Sequence, residues 1–459
     1  MGIDRSHREQ HQMNNADYLE RQSRFESNAR TYPRRLPLAI AKAEGLYVTD
    51  VDGRVYMDCL CGAGALALGH NHPVVLEAIR RHLDMGRPLQ TLDLTTPVKD
   101  EFVADLLATL PSGFARKARV QFCSPCGTDA VEAALKIVKT ATGRSAIWAA
   151  SGGFHGQTHG SLALMGNHAP KQAISGLMPG VHFFPFPYRF RCPMGQRSCE
   201  DCRCEVLLGT MLTDPESGMP HPAGLITEAV QGEGGVIPAN SDWLKAVRRH
   251  ASDAGIPLIL DEVQTGWCRT GRMYAFEHFD VIPDVLILSK AIGGGLPLAV
   301  VVYDEQLDVW KPGAHSGTFR GNQLAMATGI ATLQLLLKDQ IAAHASAMGA
   351  RFLQRLLPLQ SEYAFVGEVR GKGLMLGIEI VDPEHCDRRN RALANPTLAA
   401  KIQAECFKRG LIVELGGRQG AVVRLLPPLI VDDRQVDAIC DVLVRACAAA
   451  FRGDGAAYV

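Results

Sequence analysis

Three short apolar runs in the middle of the chain, each with a charged residue at or near its end, constrain the fold more than any other feature. The runs are LITEAV at 225–230, PLILDEV at 257–263 and VLILSK at 285–290. Runs of this length that are rich in Leu, Ile and Val predict strands buried on both faces. A parallel sheet covered by helices is therefore expected in this region.

The segment between the first two runs, SDWLKAVRRHASDAG, predicts a helix with Ser241 as its N-cap and Gly255 as its end. Strand, helix and strand in this order predict a right-handed βαβ unit with parallel strands. Ligands of open α/β sheets bind beyond the carboxyl ends of the strands. We therefore expect Asp261 and Lys290, which follow neighbouring strands, to converge on one cleft.

The same alternation of strand and helix patterns predicts an α/β class fold with a large domain over residues 90–335 and a mostly parallel central sheet. Residues 36–89 include a β-hairpin pattern around Asp52. We expect them to form a smaller α+β domain together with residues 336–459, where Ala- and Leu-rich helical patterns alternate with strand patterns. Residues 1–35 are expected to form a polar, partly helical arm.

Composition narrows the classes of partner. The chain has 459 residues with 48 Lys+Arg and 48 Asp+Glu, so no basic excess favours a nucleic acid or an anionic membrane. The polar start MGIDRSHREQHQ lacks an apolar leader, and no run approaches the roughly 18 apolar residues of a membrane span. These features lead us to expect a soluble, cytoplasmic protein with small-molecule partners.

Thirteen cysteines in such a chain are expected to be reduced thiols. Cys192, Cys199, Cys202 and Cys204 are closely spaced, and four thiolates at this spacing are one possible tetrahedral zinc site. The alternative is an exposed insertion loop with incidental thiols. No second Cys pair or His pair completes a familiar zinc pattern, so no metal is the favoured interpretation.

Lys290 is the most informative single residue, because it ends an apolar strand and is followed by Gly293, Gly294 and Gly295. Desolvation lowers the pKa of a buried lysine and makes its amine a nucleophile for an aldehyde. The glycines allow the backbone to approach a cofactor closely. The alternative is a lysine whose stem is buried while its amine reaches solvent.

Asp261, in LILDEVQTG, favours the first interpretation. Pyridoxal 5′-phosphate (PLP) binds a lysine through its aldehyde, and it needs an acid near its pyridine nitrogen to act as an electron sink. Val263 is placed to pack on one face of the ring, and Gln264 to donate a hydrogen bond to the 3-oxygen. A helix cap or an ordinary ion pair remains the alternative for Asp261.

Two further segments complete a PLP site. In CSPCGTDAVEAALKIVK a turn leads into an amphipathic helix, so the amides of Gly127 and Thr128 are expected to bind the phosphate. In SGGFHGQTHG, Phe154 and His155 lie between glycines, where Phe154 is placed to stack on the other ring face or to belong to the core. The chain has neither G-x-G-x-x-G nor a P-loop, which argues against dinucleotides and ATP.

In this order along the chain, CGTDAVEAALK, GGFHGQT, TEAVQGEGG, LDEVQTG, LSKAIGGGLPL and HSGTFRGNQLA resemble the class III aminotransferases of the PLP-dependent transferase fold type I. The resemblance covers the chain from about residue 35 almost to its C-terminus. It implies that Lys290 forms the Schiff base and Asp261 holds the pyridine nitrogen. The cofactor-binding residues that it implies are Gly127, Thr128, Phe154, His155, Glu228, Val263, Gln264 and Thr318.

The resemblance also implies a homodimer with shared active sites, because Thr318 matches the threonine that reaches the phosphate of the neighbouring subunit. Two departures from the family pattern are Cys126 in CGTD and Ala229 after Glu228. Neither departure removes a charge, so we expect altered packing and retained activity.

Arg424, in VVRLLPPL, and Glu233, in QGEGG, match the arginine that binds a substrate carboxylate and its acidic partner in ω-aminotransferases. Within the family, TYPRRLPL, CGAGALALGHNHP and LQTLDLTTPVKDEFV resemble the enzymes that transfer the terminal amino group of 2,4-diaminobutyrate to 2-oxoglutarate. The alternatives are an ω-aminotransferase for ornithine, acetylornithine or 4-aminobutyrate, another PLP reaction such as an aminomutase or a racemase, and a non-catalytic module. For Glu233 and Arg424 themselves, a structural ion pair is the alternative.

Overall fold

A computed structural model describes residues 13–195 and 203–452. The α-helices are α1 Asn15–Phe25, α2 Pro73–Asp84, α3 Pro97–Ala108, α4 Ser112–Ala115, α5 Gly127–Thr142, α6 His159–Ala163, α7 Cys204–Thr213, α8 Ser241–Asp253, α9 Gln323–Lys338, α10 Ile341–Leu356, α11 Leu359–Glu362, α12 Pro396–Lys408 and α13 Asp433–Arg452. Among the described residues, none of these helices has the length and apolar character needed to cross a membrane.

The strands are β1 Ile40–Glu44, β2 Tyr47–Asp50, β3 Val55–Asp58, β4 Ala118–Phe122, β5 Ile147–Ala150, β6 Val181–Phe184, β7 Gly224–Thr227, β8 Val230–Gln231, β9 Ile237–Pro238, β10 Leu258–Asp261, β11 Val285–Leu288, β12 Val300–Asp304, β13 Val366–Lys372, β14 Met375–Cys386, β15 Ala392–Ala394, β16 Leu411–Ile412, β17 Glu414–Gly416 and β18 Val422–Leu425. They form a seven-stranded central sheet and smaller sheets around it.

The central sheet has the order β4-β12-β11-β10-β7-β5-β6. The pairs from β11 through β6 are parallel, as the apolar runs predict, while β12 is antiparallel to both of its neighbours. Strands β5, β7, β10 and β11 are buried along their whole length. The prediction of a mostly parallel, helix-covered sheet is confirmed.

The βαβ unit around α8 is also confirmed, with one correction at its start. The N-cap is Asn240 and not Ser241, because the Asn240 side chain accepts hydrogen bonds from the amides of Asp242 and Trp243. Trp243, Leu244 and Val247 lie on the buried face of the helix. The chain then turns at Gly255, which has a φ of 59°, and enters β10.

The N-terminal and C-terminal regions share one sheet. Strands β2 and β3 form the hairpin expected around Asp52, and β16 extends their sheet by pairing in parallel with β3, Leu411 opposite Met57. A second C-terminal sheet has the order β13-β14-β18-β17. These pairings support a small domain built from both ends of the chain, although the domain boundaries remain a prediction.

Candidate active site

A cavity of about 140 Å³ lies at the carboxyl ends of the central strands. Besides Gly156, the lining consists of residues that the sequence singles out: Gly127, Thr128, Phe154, His155, Glu228, Glu233, Asp261, Val263, Gln264 and Lys290. Parallel strands bring these segments together because their carboxyl ends meet at one edge of the sheet. Of the predicted site residues other than the cysteines, only Thr318 and Arg424 are missing from this lining.

Lys290 follows β11 in a left-handed conformation, with a φ of 53°, and begins a short 3₁₀ turn that ends at Gly293. The next residue, Gly294, also has a positive φ, and a Cβ there would lie 2.7 Å from the carbonyl oxygen of Thr328. Only glycine fits this close approach. Burial lowers the pKa of the Lys290 amine, although the carboxylates of Glu233 and Asp261 partly oppose this effect.

Asp261 ends β10, and both of its carboxylate oxygens have partners. Oδ2 lies 2.8 Å from Nδ1 of His155, and Oδ1 accepts a hydrogen bond of 3.0 Å from the amide of Val263. His155 therefore holds the carboxylate in one orientation, a role that the sequence did not predict.

Glu262 is the next residue, and its side chain accepts hydrogen bonds from the amides of Ala275 and Phe276. Burial raises its pKa to about 8. Its contacts are with the backbone of a neighbouring segment, so only one acid of the Asp-Glu pair contributes to the cavity.

Glu228 connects two loops of the cavity. Its side chain accepts hydrogen bonds from the amides of Phe154, at 3.0 Å, and Gly232, at 2.8 Å. Burial raises the pKa of this carboxyl to about 7. Asp261, His155 and Glu228, called the cofactor cluster below, thus form a set in which every carboxylate oxygen has a hydrogen-bond partner.

The predicted phosphate turn begins α5. Its N-cap, Cys126, makes no side-chain hydrogen bond to the first turn of the helix, which leaves the amides of that turn free of a side-chain cap. A Cβ on Gly127 would lie 3.0 Å from the methyl groups of Val263, so a larger residue would crowd the cavity wall. Thr128 Oγ1 is 2.6 Å from Ser161 Oγ. An uncapped helix start facing a cavity is a favourable place for an anion.

Arg424 lies beside the cavity, fully buried on β18, and contacts three side chains. Its Nη1 is 2.7 Å from Glu233 Oε1 and 3.5 Å from Glu414 Oε2, and its Nη2 donates a hydrogen bond of 2.7 Å to Gln264 Oε1. The sequence predicts the pairing of Arg424 with Glu233, and the structure brings the two together. We call Arg424, Glu233, Glu414 and Gln264 the arginine cluster.

Gln264 has more partners than the sequence suggests. Besides accepting from Arg424, its Nε2 donates to the carbonyl oxygen of Ala63 at 3.1 Å. The side chain that is expected to contact a cofactor oxygen therefore also connects the cavity wall to the arginine cluster.

Glu414 and Tyr32 were missed by the sequence analysis. Glu414 lies directly opposite Arg424 in the antiparallel pair β17–β18, and it accepts a hydrogen bond of 2.9 Å from the hydroxyl of Tyr32. A hairpin register read from VELGGRQGAVVRLL could have paired the two charges. The five residues between β17 and β18 do not fix the register from sequence alone as a two-residue turn would.

Thr318 is exposed and lies away from this cavity, where its carbonyl oxygen accepts a hydrogen bond from Gln90. It lines a separate, open hollow of about 900 Å³. Of the four clustered cysteines, Cys199 and Cys202 fall outside the described residues. Cys192 and Cys204 are buried, so the expectation of an exposed loop is wrong for these two.

The cavity fits PLP in its size and in the chemistry of its lining. A cavity near 150 Å³ accommodates one benzene-sized ring. Asp261 offers a carboxylate for a protonated ring nitrogen, the start of α5 offers amides for a phosphate, and Lys290 offers an amine for an aldehyde. All three groups line one space, as a single planar cofactor requires.

The class-III aminotransferase family model matches residues 28–447. A protein of Rhizobium meliloti (strain 1021) named diaminobutyrate–2-oxoglutarate aminotransferase is 55% identical over 94% of this chain and 92% of its own length. A Haemophilus influenzae protein of the same name is 50% identical over 90% of each chain.

A solved structure shows the same architecture. The amine transaminase of an uncultivated Pseudomonas species, crystallised in its PLP-bound form, is 31% identical, with a TM-score of 0.81 over 93% of this chain and 98% of its own. The match of the family model to most of the chain, the relatives at half identity or more, and the shared fold all agree. This chain therefore belongs to the class III aminotransferases.

Proposed function

We propose that this enzyme uses PLP to transfer the terminal amino group of L-2,4-diaminobutyrate to 2-oxoglutarate, reversibly, with aspartate 4-semialdehyde and glutamate as products. The names of the relatives at 55% and 50% identity support this substrate pair. The observation that carries the proposal is the convergence of Lys290 and Asp261 on one cavity, beside the ion pair of Glu233 and Arg424.

Bound PLP supplies an electron sink for the negative charge that develops at the substrate carbon. Asp261, oriented by His155, holds a proton at the ring nitrogen, which keeps that sink effective. The amine of Lys290, whose pKa is lowered by burial, would move a proton from the substrate carbon to the C4′ carbon of the cofactor, and in the opposite sense in the second half-reaction. The amides at the start of α5 would bind the phosphate and so hold the ring of the cofactor between the Asp261 carboxylate and the Lys290 amine.

The pocket must accept two different substrates in turn. With Glu233 at 2.7 Å, the charge of Arg424 is covered, and a donor can present its terminal amine without a carboxylate at this position. When Glu233 moves away, the guanidinium is available to bind a carboxylate of 2-oxoglutarate in a bidentate manner. Glu233 is suited to this movement because its side chain is 29% exposed, whereas that of Arg424 is fully buried.

We also propose a homodimer in which Thr318 completes the phosphate site of the neighbouring subunit. In the single chain Thr318 is exposed and is not part of the cavity lining. The surface around it carries large exposed apolar side chains, namely Leu89, Leu92, Leu94 and Phe319. Exposed apolar surface of this kind is typical of a subunit interface.

The cytoplasm is the location that we propose. Cys59 and Cys61 are close in sequence, buried and not joined in a disulfide. Burial raises the pKa of both thiols well above the usual value, so they are protonated. Neutral buried thiols of this kind are typical of proteins in a reducing compartment.

A screen of amino donors on the purified enzyme tests the reaction. With 2-oxoglutarate as acceptor, 2,4-diaminobutyrate is expected to have a larger kcat/KM for glutamate formation than ornithine, acetylornithine or 4-aminobutyrate. Lys290→Ala provides the control for background transfer, because it lacks the amine that moves the proton. A clear preference of the unmodified enzyme for another donor would overturn the proposed substrate and leave the family assignment in place.

A further inference from the structure

The arginine cluster contains one carboxylate more than its guanidinium can neutralise. Glu233 is 2.7 Å from Arg424, while Glu414 is 3.5 Å away. The other terminal nitrogen of Arg424, Nη2, donates a hydrogen bond to Gln264. Glu414 is therefore the more weakly paired of the two acids, although only 8% of its surface is exposed.

The two oxygens of Glu414 have different surroundings. Oε1 accepts a hydrogen bond of 2.9 Å from Tyr32, whereas Oε2 is buried and has no hydrogen-bond partner among residues 13–195 and 203–452. Burial raises the pKa of Tyr32, and Glu414 raises it further, so the phenol is protonated and donates. A buried carboxylate oxygen without a donor is unfavourable unless a ligand supplies one.

The donor of the proposed function carries a matching group. When the terminal amine of 2,4-diaminobutyrate is at Lys290, the remote end of the molecule carries an ammonium group. Glu414 lies next to the cavity, because the Arg424 Nη1 atom that is 3.5 Å from its Oε2 is also 2.7 Å from Glu233, which lines the cavity together with Lys290. An amine donor such as 4-aminobutyrate has no ammonium group at its remote end.

Resting on the proposed function, we propose that Glu414 selects for diamino acids, with its Oε2 accepting a hydrogen bond from the α-ammonium group of the donor. Tyr32 acts as a positioning residue that holds the other oxygen and so directs Oε2 toward the donor. Glu233 covers Arg424 in the same half-reaction, which leaves Glu414 as the carboxylate available to the ammonium group.

The test compares Glu414→Gln with the unmodified enzyme in single-turnover reactions with 2,4-diaminobutyrate, 4-aminobutyrate and glutamate. The substitution keeps an oxygen for Tyr32 and removes the charge. Because a hydrogen bond between charged groups is lost, kcat/KM for 2,4-diaminobutyrate is expected to fall about 10- to 100-fold, mainly through a higher KM. The values for 4-aminobutyrate and glutamate are expected to change by less than about threefold.

Two further variants make the result interpretable. Glu405→Gln removes a carboxylate that pairs with Lys408 and Arg409 on α12, and it is expected to leave all three donors unchanged. Tyr32→Phe, at a half-exposed position, is expected to raise the KM for 2,4-diaminobutyrate several-fold with little change in kcat. It remains informative if Glu414→Gln does not fold.

Equal losses with 2,4-diaminobutyrate and 4-aminobutyrate, or no loss with either, would overturn the inference and leave Glu414 as a structural partner of Arg424. Failure of the proposed function is a different result, because the unmodified enzyme would then prefer another donor. If that donor is ornithine, the same variants are compared on ornithine and 5-aminopentanoate, which differ only in the α-amino group.

Discussion

The cofactor cluster and the arginine cluster are both buried and charged, but they are built differently. In the cofactor cluster, every carboxylate oxygen of Asp261 and Glu228 has a hydrogen-bond partner at one edge of the central sheet. The arginine cluster joins Glu233 and Gln264 to two residues of C-terminal strands, Glu414 and Arg424, and Glu414 Oε2 has no hydrogen-bond partner among the described residues. Carboxylates whose oxygens are all hydrogen-bonded suit a cofactor that stays in place, whereas a carboxylate with an unbonded oxygen suits substrates that alternate.

The strongest test of this difference is Asp261→Asn, which removes the charge and keeps the shape. Loss of one preorganised electrostatic partner is expected to lower kcat by about 10²- to 10³-fold. Because the cofactor serves both half-reactions, both should fall equally. Glu262→Gln is the matched control, since it changes the adjacent acid, whose side chain bonds to the backbone of Ala275 and Phe276. If kcat fell in only one half-reaction, Asp261 would not serve the cofactor in both, and the proposed difference between the two clusters would be wrong.

Arg424→Lys addresses the other cluster. It keeps a positive charge beside Glu233 and Glu414, which limits the cost of unpaired buried acids, but it removes the planar fork that binds a carboxylate. We expect the KM for glutamate to rise about 10- to 100-fold, while the diamine half-reaction changes little. Single-turnover absorbance measurements of each half-reaction would show this. An unchanged glutamate reaction with a failed diamine reaction would mean that Arg424 is not the carboxylate site.

His155→Phe tests how much the orientation of Asp261 contributes. The substitution removes the 2.8 Å contact to Asp261 and keeps a flat ring of similar size. A single hydrogen bond to a charged group corresponds to a loss of about tenfold or somewhat more in kcat, again in both half-reactions. Absorbance spectra of the bound cofactor between pH 6 and 9 would check whether ring protonation is weakened. Activity within twofold of the unmodified enzyme would remove His155 from this role.

The smallest expected effect concerns stability and lies outside both clusters. The pKa of Glu262 is raised to about 8 in the folded protein, above its usual value of 4.5. The folded state therefore binds this proton more tightly than the unfolded state, so the residue costs increasing stability as the pH rises from about 4.5 to about 8. The Tm of the enzyme relative to Glu262→Gln should decline over this range by about 1–2 °C per pH unit. A constant difference would contradict the assigned shift.

The sequence predicted Asp261 and Lys290 but missed Glu414 and Tyr32, and the reason is physical. Asp261 and Lys290 follow strands whose parallel order can be read from one βαβ pattern, so their convergence can be inferred. The position of Glu414 opposite Arg424 depends on the register of a hairpin with a five-residue loop. The contact of Tyr32 depends on how the N-terminal segment packs on the C-terminal sheet, and neither is set by local pattern. The antiparallel strand β12 was missed because a buried apolar run does not reveal its direction.

The parallel pairing of β16 with β3 joins Leu411 to Met57, and this has a consequence for the order of events during synthesis. A ribosome has to translate most of the chain before that pair can form, whereas the strands of the central sheet emerge earlier. The residues expected to hold the cofactor all precede β16 in the chain, whereas Glu414 and Arg424 follow it. If the central sheet folds as it is translated, the proposed selection of the amine donor would be the last property that a newly made molecule acquires.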